Sequence, residues 1–262
     1  MNNNPIGFFD SGVGQLSILN EVKKLLPGEN YAIYADQANN PLGQKTPTQI
    51  RKLTAEATSY LIKKHSIKAM VIACNTASVL GLDYLREKFN IPIVGTVPAV
   101  KAAFAGSKKS KVVVMSTPAT SKSKYLDDLI KKYGDKSRTL KLGCAGLEEA
   151  IEVLNKNTIN KLLGTYADRI KKFGPNIVVL GCTHYPLIKN KIQKELGIGI
   201  KVIDSGKAIA LRVKEILKKD RLFSGKKEKD YYYTTGDPEL FSKIASTLIK
   251  YKILAQKALP LK

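Results

Sequence analysis

The sequence predicts an α/β protein of two pseudo-symmetric, doubly wound lobes with mostly parallel sheets. Three observations carry this expectation. Short β-branched runs alternate with longer segments of helical period, the rhythm that sets parallel strands in a sheet with helices on both faces. The alternation comes as two series of four strands. The third strand of each series runs into a cysteine followed by a polar pair, in "VIACNTASV" at 71–79 and again in "VVLGCTHYP" at 178–186.

The first series reads as strands at Ile6–Asp10, Tyr31–Asp36, Lys68–Cys74 and Ile91–Val97, and the second as Lys111–Thr117, Thr139–Cys144, Asn176–Cys182 and Lys201–Asp204. Between them, "TPTQIRKLTAEATSYLIKKH" and "NTINKLLGTYADRIKKFG" carry apolar residues at helical spacing. The stretch "DSGVGQL" from Asp10 has Gly12 and Gly14 but lacks the third glycine of a dinucleotide fingerprint. It reads as a tight turn into a helix N-terminus.

Composition excludes several classes. A chain of 262 residues with 44% hydrophobic content can bury a core in one large domain or two ordinary ones. No apolar run reaches the roughly eighteen residues of a membrane span, and "MNNNPIGFFD" lacks the basic segment and apolar core of a signal peptide. A cytoplasmic, globular protein with no membrane partner is expected. Three cysteines, an odd count, argue for free thiols in a reducing compartment. The net charge of +22 is spread through segments such as "IKKHSIK" and "RVKEILKKD", where helical period turns lysines outward. It reads as a solvated basic surface capable of weak, non-specific nucleic-acid binding; zinc-finger spacing and RNP-like motifs are lacking.

In open α/β sheets ligands bind beyond the carboxyl ends of the strands, where the following helices offer free N–H groups. Asp10 and Ser11 follow the first strand of one series, and Ser116 and Thr117 hold that place in the other. Asn75 and Thr76 follow one cysteine; Thr183 and His184 follow the other. Each group alone is an ordinary cap or core residue, and their coincidence of position is what suggests chemistry. If the lobes face one another, Cys74, Cys182 and a ring of donors converge on one cleft, the expected active site. Cys74, Cys182 and His184 could also ligate a metal, a minority reading because no CxxC or HxxxH pair supports it. Two thiols on opposite sides of a carbon suit racemisation, in which one thiolate removes a proton and the other thiol returns one. Such chemistry needs no cofactor.

At these residues the chain resembles the cofactor-independent glutamate racemases of bacterial cell-wall synthesis. The likeness runs through "GFFDSGVGQLSIL", "YADQANNPLGQKT", "VIACNTASV", "IVGTVPAV", "STPATSKSKY", "VVLGCTHYPLI", "VIDSGKAIA" and "YYYTTGD" in the family's order. The resemblance implies a first lobe of residues 1–97 and 208–262, a second of 98–207, and glutamate held between them. It further implies that Cys74 takes the α-proton of D-glutamate and Cys182 that of L-glutamate, with Asp10 and His184 as polar neighbours that tune the thiols. Ser11, Leu42, Gly43, Asn75, Thr76, Thr117, Thr120 and Thr183, together with Asp10 and His184, would bind substrate, and Glu152 would support the site from behind. It implies D-glutamate supply for peptidoglycan and allows a homodimer; no metal or cofactor is implied. Three departures stand out: Leu42 replaces a usual tyrosine, Gln15 a common glycine, and "CAGLEEAIE" a pattern that usually begins Cys-Pro and carries Val-Pro before the glutamate. A racemase of aspartate or another small amino acid is the nearest alternative, although "DSGVG" and "CTHYP" favour glutamate over aspartate. A nucleic-acid or partner-binding protein that keeps the fold without the catalysis is the alternative from another class.

Overall fold

The computed structural model describes residues 2–107 and 109–258. Two compact units divide the chain, Met1–Thr96 with Gly206–Lys262, and Val97–Ser205. In the first, β1 (Ile6–Asp10), α1 (Gln15–Leu25), β2 (Tyr31–Ala35), α2 (Pro47–His65), β3 (Ala69–Ile72), α3 (Asn75–Lys88) and β4 (Ile93–Gly95) follow in order. The second unit runs α4 (Val100–Phe104), β5 (Val112–Ser116), α5 (Pro118–Ser121), α6 (Lys124–Tyr133), β6 (Thr139–Gly143), α7 (Leu147–Glu152), α8 (Lys156–Phe173), β7 (Ile177–Leu180), α9 (Lys189–Leu196) and β8 (Lys201–Ile203). The chain then returns to the first unit with α10 (Gly206–Lys219), β9 (Tyr231–Thr234), α11 (Pro238–Ile249) and β10 (Gln256–Lys257).

The strand orders are β10-β9-β2-β1-β3-β4 and β6-β5-β7-β8, with parallel pairing throughout. Numbered within its own series, each sheet contains the order 2-1-3-4. That shared order makes the two units copies of one design, and the first is enlarged by two strands that the sequence reading did not assign. β9 comes from "YYYT", short and polar at its aromatic tips, and β10 has two exposed residues and no period to read. The expected strand ends also shift. β3 stops at Ile72 and β7 at Leu180, so Cys74 and Cys182 each stand two residues beyond the strand. There the backbone is already turning into the next element.

Local chemistry explains the elements that the period revealed. Thr46 and Gln49 close a capping box at the start of α2, with Pro47 in the first turn, and Ile50, Ala57, Tyr60 and Leu61 form its buried face. Burial of each large side chain on such a face contributes about 1.5–3 kcal/mol. Asn155 caps α8, and Gly174 ends it in the left-handed region at φ 67°. A buried polar clasp holds the returning segment in the first unit. Lys68 Nζ lies 2.5 Å from Glu29, and Ser224 donates to Glu29 through its N–H at 2.9 Å and its hydroxyl at 2.8 Å. Burial pulls the Lys68 ammonium below its usual range, against the opposing pull of Glu29. Among the described residues no helix is long and apolar enough to cross a membrane.

Candidate active site

In the first unit the pairing Phe9↔Ile72 aligns the ends of β1 and β3, and the Ala73 N–H donates to the Phe9 carbonyl at 2.8 Å. Asp10–Ser11 and Cys74–Thr76 therefore leave adjacent strands at the same edge of the sheet. Asp10 is fully buried and its Oδ1 accepts the Ser11 N–H at 2.8 Å. Cys74 is the N-cap of α3, in extended conformation at φ −131° and ψ 120°, and its side chain makes no capping bond. Asn75 and Thr76 form the first turn and are buried. That turn carries no acidic side chain, so the positive end of the helix dipole is directed at Cys74. Ser78 fixes the helix to the sheet by donating to the Ile72 carbonyl at 3.0 Å and accepting the Thr96 N–H at 2.9 Å.

The loop before α2 carries the Leu42 departure. The Leu42 side chain is 1% exposed and packs in the apolar cluster that also holds Phe9, Ile72, Cys74 and Ala77. That side chain therefore serves packing. The Gln15 departure also has a structural role. Its Nε2 donates to the Gly12 carbonyl at 3.1 Å and to the Tyr34 carbonyl at 3.2 Å, tying the turn after β1 to β2.

The second unit repeats the frame. Met115 pairs with Leu180, and the Gly181 N–H donates to the Met115 carbonyl at 2.7 Å, as Ala73 does to Phe9. A Cβ on Gly181 would meet the Met115 oxygen at 3.0 Å and Val114 Cγ1 at 3.1 Å, so a side chain has little room there. Cys182, Thr183 and His184 follow, all buried. Thr117 caps α5, and its hydroxyl donates to Thr120 Oγ1 at 3.1 Å.

A buried relay runs back from Cys182. Its Sγ lies 3.9 Å from His184 Nδ1, and His184 Nε2 lies 2.7 Å from Glu152 Oε2 on α7. Burial opposes the imidazolium, but the bonds to Cys182 and Glu152, with the charge of Glu148, raise His184 well above the usual imidazole range. Burial, then Glu148, pushes the Cys182 thiol up to about 11, with His184 pulling the other way. Both shifts favour the thiol and the imidazolium at neutral pH. Cys144 behaves as a core residue, with burial pushing its thiol up to about 12. Glu148 is a residue that the sequence reading missed; its spacing of four from Glu152 in "CAGLEEAIE" was the available signal. Among the described residues no group of three or more His, Cys, Asp or Glu side chains could hold a metal ion.

Residues 17–213 match the family model of Asp/Glu/hydantoin racemases. The chain belongs to that family. Among curated relatives, the glutamate racemase of Clostridium novyi is 42% identical over 220 residues, covering 83% of this chain and 85% of its own. That of Clostridium perfringens strain SM101 is 39% identical over 256 residues, covering 95% and 94%. Solved glutamate racemases superpose closely. The Bacillus anthracis enzyme reaches a TM-score of 0.89 at 28% identity over the whole of both chains. The Escherichia coli enzyme, in complex with L-glutamate and the activator UDP-MurNAc-ala, reaches 0.83 at 28%, covering 99% of this chain and 100% of its own. An aspartate racemase of Picrophilus torridus shares the fold alone, at a TM-score of 0.55 and 17% identity over 85% of this chain and 99% of its own.

Proposed function

We propose that the protein interconverts L- and D-glutamate by two-base proton transfer, with Cys74 serving one face of the α-carbon and Cys182 the other. The observation that carries the reading is the repeated slot: two thiols, each two residues past the third strand of a 2-1-3-4 sheet. One thiolate takes the α-proton, and the C–H electron pair stays on the carbon and spreads into the carboxylate. The other thiol delivers its proton to the opposite face, which inverts the centre and leaves the thiols with exchanged protonation. Ser11, Asn75, Thr76, Thr183 and the Gly43 backbone would hold the substrate's carboxylates, with Thr117 and Thr120 as further donors. His184, held by Glu152, would stabilise the thiolate of Cys182, and Asp10 would act beside Cys74. The residues do this chemistry without a metal or an organic cofactor. D-glutamate made this way in the cytoplasm would supply peptidoglycan synthesis.

Optical rotation of purified protein with D- and L-glutamate, then with the aspartate pair, tests the reading. Glutamate from either side should converge on the racemate and aspartate should hardly change. Racemisation of aspartate in preference to glutamate would overturn the substrate; inertness toward both would overturn the activity.

A further inference from the structure

We propose that Glu148 is a positioning residue for the Cys182 half of the reaction: from the buried face of α7, its carboxylate holds His184 as the imidazolium and Cys182 as the thiol, so that this cysteine stands ready as the proton donor for D-glutamate and must shed its proton before it acts as base on L-glutamate. The inference rests on the reading that Cys182 exchanges a proton with glutamate. It concerns a feature of this chain, because Glu148 lies in the segment that departs from the pattern of the racemases it resembles.

The geometry comes from α7. Residues four apart share one face of a helix. Glu148 and Glu152 are both 7% exposed, while Glu149 between them faces solvent. Glu152 is fixed on the His184 ring at 2.7 Å, so the shared face is the one turned to the relay. Among the described residues of this unit, ionisable groups around the pair include Glu148 and Glu152 on α7, Cys144 just before it, Tyr185 beside His184, and Tyr166 and Arg169 on α8. Arg169 acts on Cys144 and Tyr166; the cation that faces Cys182 is His184. Two carboxylates therefore share one imidazolium, and a thiolate at Cys182 adds a third negative charge to a buried site. Such a charge is disfavoured. The resting thiol is then poised to protonate the carbanion made when Cys74 acts as base.

The test is a titration of Cys182 in protein carrying Cys74→Ser and Cys144→Ala, read from the 13Cβ shift of the one remaining cysteine. Glu148→Gln should move the midpoint to lower pH, giving about tenfold more thiolate at a fixed pH below it. Glu148→Asp should lie between, and Glu149→Gln, on the exposed face, should leave the midpoint in place. Should Glu148→Gln fail to fold by circular dichroism, Glu148→Val carries the same expected direction. A midpoint unmoved by loss of the Glu148 charge, with Cys182→Ser still abolishing racemisation, would overturn this proposal alone. Full racemisation by Cys182→Ser would instead sink the reading on which it rests.

Discussion

The two thiols occupy one slot in two sheets, yet what surrounds them differs. Cys74 opens a 14-residue helix whose first turn has no acidic side chain, so the positive end of the helix dipole lies at the sulfur's position. Cys182 is followed by a single 3-10 turn, Tyr185–Ile188, and two residues beyond the cysteine stands His184, braced by Glu152. The equivalent position after Cys74 is Thr76. Equally, the fully buried Asp10 at the end of β1 has Ser116 as its counterpart at the end of β5. Strand register thus places the sulfur in each half, and the side chains next to it differ. The halves should respond alike to loss of the thiol and differently to loss of its neighbours.

The largest effect tests the likeness. Cys74→Ser and Cys182→Ser should each lower kcat for glutamate by about 10^3-fold or more, because a serine hydroxyl is far too weak an acid to share the exchange. A near-wild-type rate in either would break the pairing. The difference shows in the next pair: His184→Asn should cost about 100-fold in kcat with little change in KM, whereas Thr76→Ala at the equivalent place should cost about tenfold, mainly in KM. Similar losses in both would mean that the halves are electrostatically the same.

A pH experiment isolates the second unit. Burial holds the protons of Cys182 and Cys144 to about 11 and about 12, against an ordinary cysteine value of 9.0. The folded pKa values are raised, so this stability is fully present below the unfolded value and is lost as pH climbs through the folded ones. Cys144→Ala removes one contribution. Its stability deficit relative to the parent, measured by urea unfolding, should therefore shrink by about 2 kcal/mol between about pH 8 and about pH 10.5. A constant deficit would mean that Cys144 is not protected in this way.

Much of this frame was readable beforehand, for identifiable reasons. Strands such as β5 and β7 are near-continuous β-branched runs because parallel strands are covered on both faces, and α2 and α8 carry both period and caps. The positions of Asp10, Cys74, Cys182 and His184 followed from the rule that ligands meet the carboxyl ends of strands. What period cannot reveal is pairing over long separations. β9 pairs with β2 across about two hundred residues, in a segment that the clasp of Lys68, Glu29 and Ser224 helps hold there. Glu148 escaped because a carboxylate on a six-residue helix looks like a solvated one until the packing turns it inward.

The smallest effect concerns Leu42. Because its side chain is buried in the apolar cluster that also holds Cys74, Leu42→Tyr should cost about 1–3 kcal/mol of stability through overpacking and leave KM nearly unchanged. A tenfold gain in kcat/KM would show that a ring is wanted there for substrate.

Racemisation in D2O tests the two-base account most directly. Starting from protiated L-glutamate, Cys182 would remove the α-proton and Cys74, exchanged with solvent, would deliver a deuteron to the other face. D-glutamate should therefore carry deuterium from the first turnovers while unreacted L-glutamate stays protiated. Early D-glutamate that keeps the original proton, or L-glutamate that gains deuterium before product forms, would mean that a single base carries the proton and would contradict the account.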